Sequence, residues 1–144
     1  MYRMFFNAGS FNGKLDGWSF GPDANLSQMF YSAGSFNQDL SSWDVSNVIN
    51  MYRMFYNAGS FNGKLDGWSF GPDANLSEMF NSSYSFNQDL SSWDVSNVIN
   101  MSTMFYSAGS FNQDLSSWNV VNVINYNCFS CNANSWTLPQ PNFN

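Results

Sequence analysis

The sequence predicts an α/β solenoid of about five 25-residue coils, with short parallel strands on one face and short helices on the other. Three observations carry this. Met4, Met29, Met54, Met79 and Met104 share one column of a 25-residue period, each followed by Phe. The same register aligns Phe at 11, 36, 61, 86 and 111, each followed by Asn, then Leu at 15, 40, 65, 90 and 115, and Trp at 18, 43, 68, 93 and 118. Finally, residues 51–100 repeat residues 1–50 at 45 of 50 positions, differing only at 56, 78, 81, 83 and 84. A unit this short cannot bury Trp, Met and Phe alone, so its apolar ring must be covered by its neighbours. The coils are expected at 1–25, 26–50, 51–75, 76–100 and 101–125, with 126–144 a divergent capping segment.

Within one unit, the spacing in Leu40-x-x-Trp43-x-Val45 predicts a short strand, with Ser41, Ser42 and Asp44 facing out. Met51, Met54, Phe55 and Ala58 then recur at intervals of three and four, which predicts one face of a short helix. Asn50 is placed to cap that helix, as are Asn25, Asn75, Asn100 and Asn125 in the same column. Gly59 to Asn62 turn the chain back, with Phe61 as an apolar plug. In the tail, Ser135-Trp136-Thr137-Leu138 repeats the Ser-Trp-x-Val signature early, and Pro139 and Pro141 follow, as in a strand that must not be extended.

Composition limits the function. Charged residues are 10% of the chain against about 25% in ordinary domains. The net charge of −6 leaves only Arg3, Lys14, Arg53 and Lys64 as cations, too few and too scattered to bind phosphates, so nucleic acid is not expected as a partner. No apolar run approaches the roughly 20 residues of a membrane span. The absence of His removes imidazole bases, triads and ligands.

The string Met54-Phe55-x-x-Ala58-x-x-Phe61-Asn62, with Phe86-Asn87-Gln88-Asp89-Leu90-Ser91-Ser92-Trp93-Asp94-Val95-Ser96-Asn97-Val98, resembles a known repeat. It is similar to the BspA-type leucine-rich repeat surface proteins, and more narrowly to the lipoprotein-associated repeat first described in mycoplasmas, over residues 1–125. The resemblance implies a leucine-rich-repeat-like fold, secretion or surface display, and adhesion or interaction roles, with no catalytic residues. Coils one and three depart from the pattern, carrying Gly-Trp-Ser-Phe-Gly-Pro-Asp at 17–23 and 67–73.

Candidate sites follow from the columns. Phe6, Tyr31, Tyr56 and Tyr106, with Tyr2 and Tyr52 four residues before Phe6 and Tyr56, form an outward aromatic stripe suited to another protein's apolar surface or to sugar rings. Lys14, Asp39, Lys64 and Asp89 alternate in sign on successive coils and are expected to pair as a charge ladder, with Arg53 and Glu78 a second pair. Cys128-x-x-Cys131 reads as a tail disulfide or two structural thiols. Asn25, Asn75, Asn81 and Asn100 open Asn-x-Ser sequons. Same-column carboxylates such as Asp44 and Asp94 lie two strand spacings apart, roughly 10 Å, beyond the separation that glycoside hydrolysis uses. Asp23 and Asp73 are the best-placed Ca²⁺ ligands, but turn formation accounts for them more simply. No metal or cofactor is expected. Met1 falls in the column of Met51, so Leu15, Trp18 and Phe20 are read as an open edge that other polypeptide continues. The expectation is a non-enzymatic extracellular structural or assembly protein, a filament or surface-layer subunit that binds itself or other surface proteins. The alternative is an adhesion module that recognises a protein or glycan through the aromatic stripe.

Overall fold

The computed structural model describes residues 1–144. Four strands, β1 (Ala24–Asn25), β2 (Val48–Asn50), β3 (Ala74–Asn75) and β4 (Val98–Asn100), form one parallel sheet in the order β1-β2-β3-β4. An Asn100–Asn125 bridge extends it by one coil. Each winding of the chain thus adds one strand beside the last, which makes the molecule a parallel solenoid.

The strands do not lie where the Leu-x-x-Trp-x-Val spacing put them. At Asp44 and Asp94 the pairing shrinks to single bridges with Ser19 and Ser69. The cause is local. Asp39 Oδ1 accepts the Ser41 amide at 2.8 Å and Asp44 Oδ1 accepts the Ser46 amide at 3.1 Å, so two Asx turns bend the chain between 39 and 46. Extended backbone resumes only at Val48-Ile49-Asn50, where two β-branched residues follow each other. The coils containing Gly-Pro-Asp meet this strand with one residue fewer: Ala24 pairs with Val48 but Asn25 with Asn50, which leaves Ile49 as a bulge. Asp23 and Asp73 sit in turns just before these strands, with φ of 56° and 54°.

The expected helices are absent. Met51 to Ala58 instead form a run of linked turns: the Met54, Tyr56 and Ala58 amides donate to the carbonyls of Met51, Arg53 and Phe55. The amides between them leave the coil, Arg53 to Ser77, Phe55 to Met79 and Asn57 to Asn81, at 2.9–3.1 Å. Alternate amides therefore close turns or build a parallel ladder. The turns that close at Met54 and Ala58 carry a left-handed residue at their third position, Arg53 (φ 56°) and Asn57 (φ 53°), as do their column-mates from Arg3 and Asn7 to Cys128 and Asn132. Packing explains why this arrangement displaces the helix. An α-helix is about 10 Å across, whereas neighbouring strands sit about 4.8 Å apart. Phe5, Phe30, Phe55, Phe80 and Phe105 stack at 5.3–5.6 Å, and Phe11, Phe36, Phe61, Phe86 and Phe111 at 5.7–5.9 Å. Helices on one side would force those coils apart and break the stack.

The Asn50 column is likewise not a set of helix caps. Asn50 ends a strand, and its side-chain oxygen accepts the Tyr52 amide at 3.0 Å; Asn25, Asn75 and Asn100 do the same for Ser27, Ser77 and Ser102. The polar role is capping of a kind, applied to an Asx turn.

Two further ladders hold the coils. Trp68 is 1% exposed, stacks between Trp43 and Trp93, and donates its indole N–H to the Leu40 carbonyl at 3.2 Å. Trp93 and Trp118 repeat that bond to Leu65 and Leu90 at 2.7 and 2.9 Å. In the Phe-Asn column, the side-chain oxygens of Asn12, Asn37, Asn62 and Asn87 accept the amides of Asn37, Asn62, Asn87 and Asn112 at 2.8–2.9 Å. No buried side-chain polar atom lacks a partner.

Residues 126–139 follow the same register as a partial sixth winding. The Thr103, Phe105 and Ser107 amides donate to the carbonyls of Asn127, Phe129 and Cys131, and the Leu115 amide to that of Pro139. Trp136 therefore stands over Phe111, 4.7 Å away and edge-on, rather than extending the Trp column.

Candidate functional site

The turn run carries the aromatic stripe. Phe6, Tyr31 and Tyr56 stack face to face at 4.8 Å per step. Both faces of Tyr31 are therefore covered, and the stack offers ring edges to solvent, which disfavours a sugar ring lying flat on it. Asn81 interrupts the column, and no ring stacks on Tyr106. Tyr2 is 53% exposed while Tyr52 is half-buried.

Each of the two arginines lies over two of these rings. Arg3 sits 5.0 Å from the Tyr2 centroid and 4.7 Å from that of Phe6; Arg53 sits 4.9 and 5.1 Å from Tyr52 and Tyr56. Their polar partners differ. Arg53 donates to both oxygens of Glu78, at 2.9 and 3.3 Å, while Arg3 Nε meets the neutral Gln28 amide at 2.7 Å. Burial works against the charge of Arg53, but the Glu78 carboxylate more than offsets it and raises its pKa. Burial, then the same carboxylate, pushes the Tyr52 hydroxyl up.

Arg53 and Glu78 make the one ion pair within 4.0 Å, so the charge ladder of Lys14, Asp39, Lys64 and Asp89 does not close. Asp39 and Asp89 turn to the Ser41 and Ser91 amides instead, at 2.8 Å, and Lys64 acts on Asp39 only through space. Hydrogen bonds from the following serines hold the carboxyls of Asp39, Asp44, Asp94 and Asp114 below the ordinary carboxylate range. No group of His, Cys, Asp or Glu is arranged to hold a metal ion.

Cys128 and Cys131 are joined as a disulfide. At the open-edge residues, Leu15 and Phe20 are each 8% exposed, and Trp18 is half-buried against Trp43, 5.5 Å away. Of the sequon asparagines, Asn25 is exposed, Asn75 and Asn100 are half-buried, and Asn81 is buried at 8% exposure. At Asn25, Asn75 and Asn100 the amide oxygen accepts a serine amide, and the amide nitrogen makes no hydrogen bond.

The positions at which the two 50-residue halves differ were readable in the sequence, but their common location was not. Tyr56, Glu78, Asn81, Ser83 and Tyr84 replace Phe6, Gln28, Tyr31, Ala33 and Gly34, and all five lie in or beside the turn run, around the arginines and the stacked rings. The strand side of the duplicated halves is unchanged.

The model of the family described as "Mycoplasma protein of unknown function, DUF285" matches residues 1–75 and again 72–143. The chain belongs to this family. The match is consistent with a mycoplasma repeat protein and does not single out the BspA type. No curated protein and no solved structure matches the chain. No helix of this DUF285 protein is long and apolar enough to cross a membrane.

Proposed function

We propose that this DUF285 protein is a non-enzymatic, extracellular or cell-surface structural protein that works by assembly, its stiff solenoid serving as a filament or surface-layer subunit. The observation that carries this reading is how the functional groups are spent. Indoles, Asn side chains and Phe rings form coil-to-coil ladders, and Asp39, Asp44, Asp89, Asp94 and Asp114 cap turns two residues on. Such an array gains length by adding identical units, which suits a scaffold. The disulfide fits an oxidising compartment, and the resemblance to BspA-type surface proteins points the same way.

A second reading is an adhesion module binding another surface protein or a glycan. The observation favouring it is that the duplicated halves differ only around the turn run, where Tyr and Arg, the side chains that dominate binding hot spots, are gathered. Sedimentation velocity and electron microscopy of the purified protein over a concentration series separate the two. Ordered, concentration-dependent assembly without added ligand supports the structural reading; a strict monomer that binds a host protein or glycan saturably overturns it.

A further inference from the structure

We propose that the face formed by Tyr2, Arg3 and Phe6 docks onto a second copy of this chain, with the Arg3 guanidinium received between Asp89 and Asp114 beside Leu138. The contact rests on the assembly reading above and names its chemistry.

The argument begins with a comparison that the chain makes within itself. Arg3 and Arg53 occupy the same place in two nearly identical halves, each on two aromatic rings. Arg53 is half-buried and neutralised by Glu78 at 2.9 Å. Arg3 is exposed, spends Nε on neutral Gln28, and has no carboxylate within 4.0 Å. Its charge and its terminal N–H groups are free. The rings fix the guanidinium plane, so little side-chain entropy remains to be lost when a carboxylate binds its fork.

The counter-charge lies in coils four and five. Down the column Lys14, Asp39, Lys64, Asp89, Asp114 the sign alternates until its last two members, which are both negative and both exposed. Like charges side by side on neighbouring coils repel. These two flank an open depression that also takes in Gln113 and Leu138. A cation placed there relieves the repulsion. Apolar surface matches as well: Tyr2 is 53% exposed and Leu138 43% exposed. In a chain of net charge −6 that must approach another copy of itself, the one unmatched guanidinium facing an unmatched acidic pair sets the orientation. The two patches are different surfaces on coils one and four to five, so the contact is head-to-tail in kind and leaves each copy able to take another.

The chain supplies its own switch for the test. Gln28→Glu reproduces the Arg53–Glu78 arrangement, so folding is retained while the Arg3 charge is neutralised in place. Sedimentation equilibrium of the whole chain is expected to show self-association for the wild type. It should weaken by about tenfold or more in Gln28→Glu, and similarly in an Asp89→Asn/Asp114→Asn variant, whose amides keep the turn-capping oxygens. Gln28→Glu associating as tightly as the wild type, with an unchanged thermal midpoint, overturns the contact and leaves the assembly reading standing. Loss in Gln28→Glu with none in the double Asn variant overturns the receiving patch. A wild type that stays monomeric throughout overturns contact and reading together.

Discussion

Replacing Trp68 by Ala tests the claim that stability comes from stacking. The indole is 1% exposed, lies between Trp43 at 6.4 Å and Trp93 at 5.7 Å, and donates to the Leu40 carbonyl. An indole of about 200 Å² at ~25 cal/mol per Å² sets an upper value of about 5 kcal/mol. Partial collapse of the neighbours and the lost hydrogen bond move that in opposite directions, and the expected cost is about 3–5 kcal/mol. Trp18→Ala is the internal comparison. Trp18 is half-buried and stacks on Trp43 alone, so about half that cost is expected. Urea titrations followed by far-UV circular dichroism measure both, and Trp68→Ala should also lower the melting temperature by about 10 °C. A cost below about 1 kcal/mol for Trp68→Ala, or equal costs at the two positions, would refute the ladder argument.

Four further outcomes are expected. Gly63→Ala drives its new Cβ into the Gln38 carbonyl and should cost about 1–3 kcal/mol, while Gly59→Ala meets nothing within 4 Å and should stay within about 0.5 kcal/mol of wild type, both by denaturant titration. Thr103 holds φ at 50°, a poor position for a β-branched residue, so Thr103→Asn should raise stability by about 0.5–1 kcal/mol in a thermal melt. The carboxyls of Asp39, Asp44, Asp94 and Asp114 have folded pKa values below their unfolded ones; their contribution is therefore complete at neutral pH and is lost as pH falls below about 4, and replacing all four by Asn should flatten that acid limb. Reducing the Cys128–Cys131 bond should loosen the terminal winding by about 2 kcal/mol on chain-entropy grounds, read as faster hydrogen exchange at the Phe105 and Ser107 amides, which bond to Phe129 and Cys131.

Much of the inward set was legible because burial depends on which side chains meet, whatever the backbone does between them. Met51, Met54, Phe55 and Ala58 are all fully buried, as a helical face requires. The spacing of three and four that signals a helix is also produced by linked four-residue turns with left-handed residues at alternate positions; Asn7, Asn57 and Asn132 suit that conformation, but Arg53 and Glu78 are unusual in it, so the Arg53 column did not announce the choice. The site was half legible. The column Phe6, Tyr31, Tyr56 could be drawn from the period alone, but whether its rings lie flat to solvent or stacked on one another depends on the coil spacing. The Arg53–Glu78 pair, by contrast, was legible from the columns, and Gln28 in place of Glu78 is what leaves Arg3 without a carboxylate partner.

The sequence by itself determined the period, the stacked architecture, the apolar columns and the placement of charge. These follow from repetition and composition, which are properties of the chain. The tertiary structure decided where the strands lie, that turns replace helices, and which polar groups meet. Those choices belong to the distance between neighbouring coils: at about 5 Å, parallel hydrogen bonds and ring stacks can be satisfied together, while a helix about 10 Å wide would splay the coils on its side and open the Phe stacks. An amide that would have bonded four residues back along its own coil finds a carbonyl on the next coil instead, as Phe55 does with Met79 at 2.9 Å.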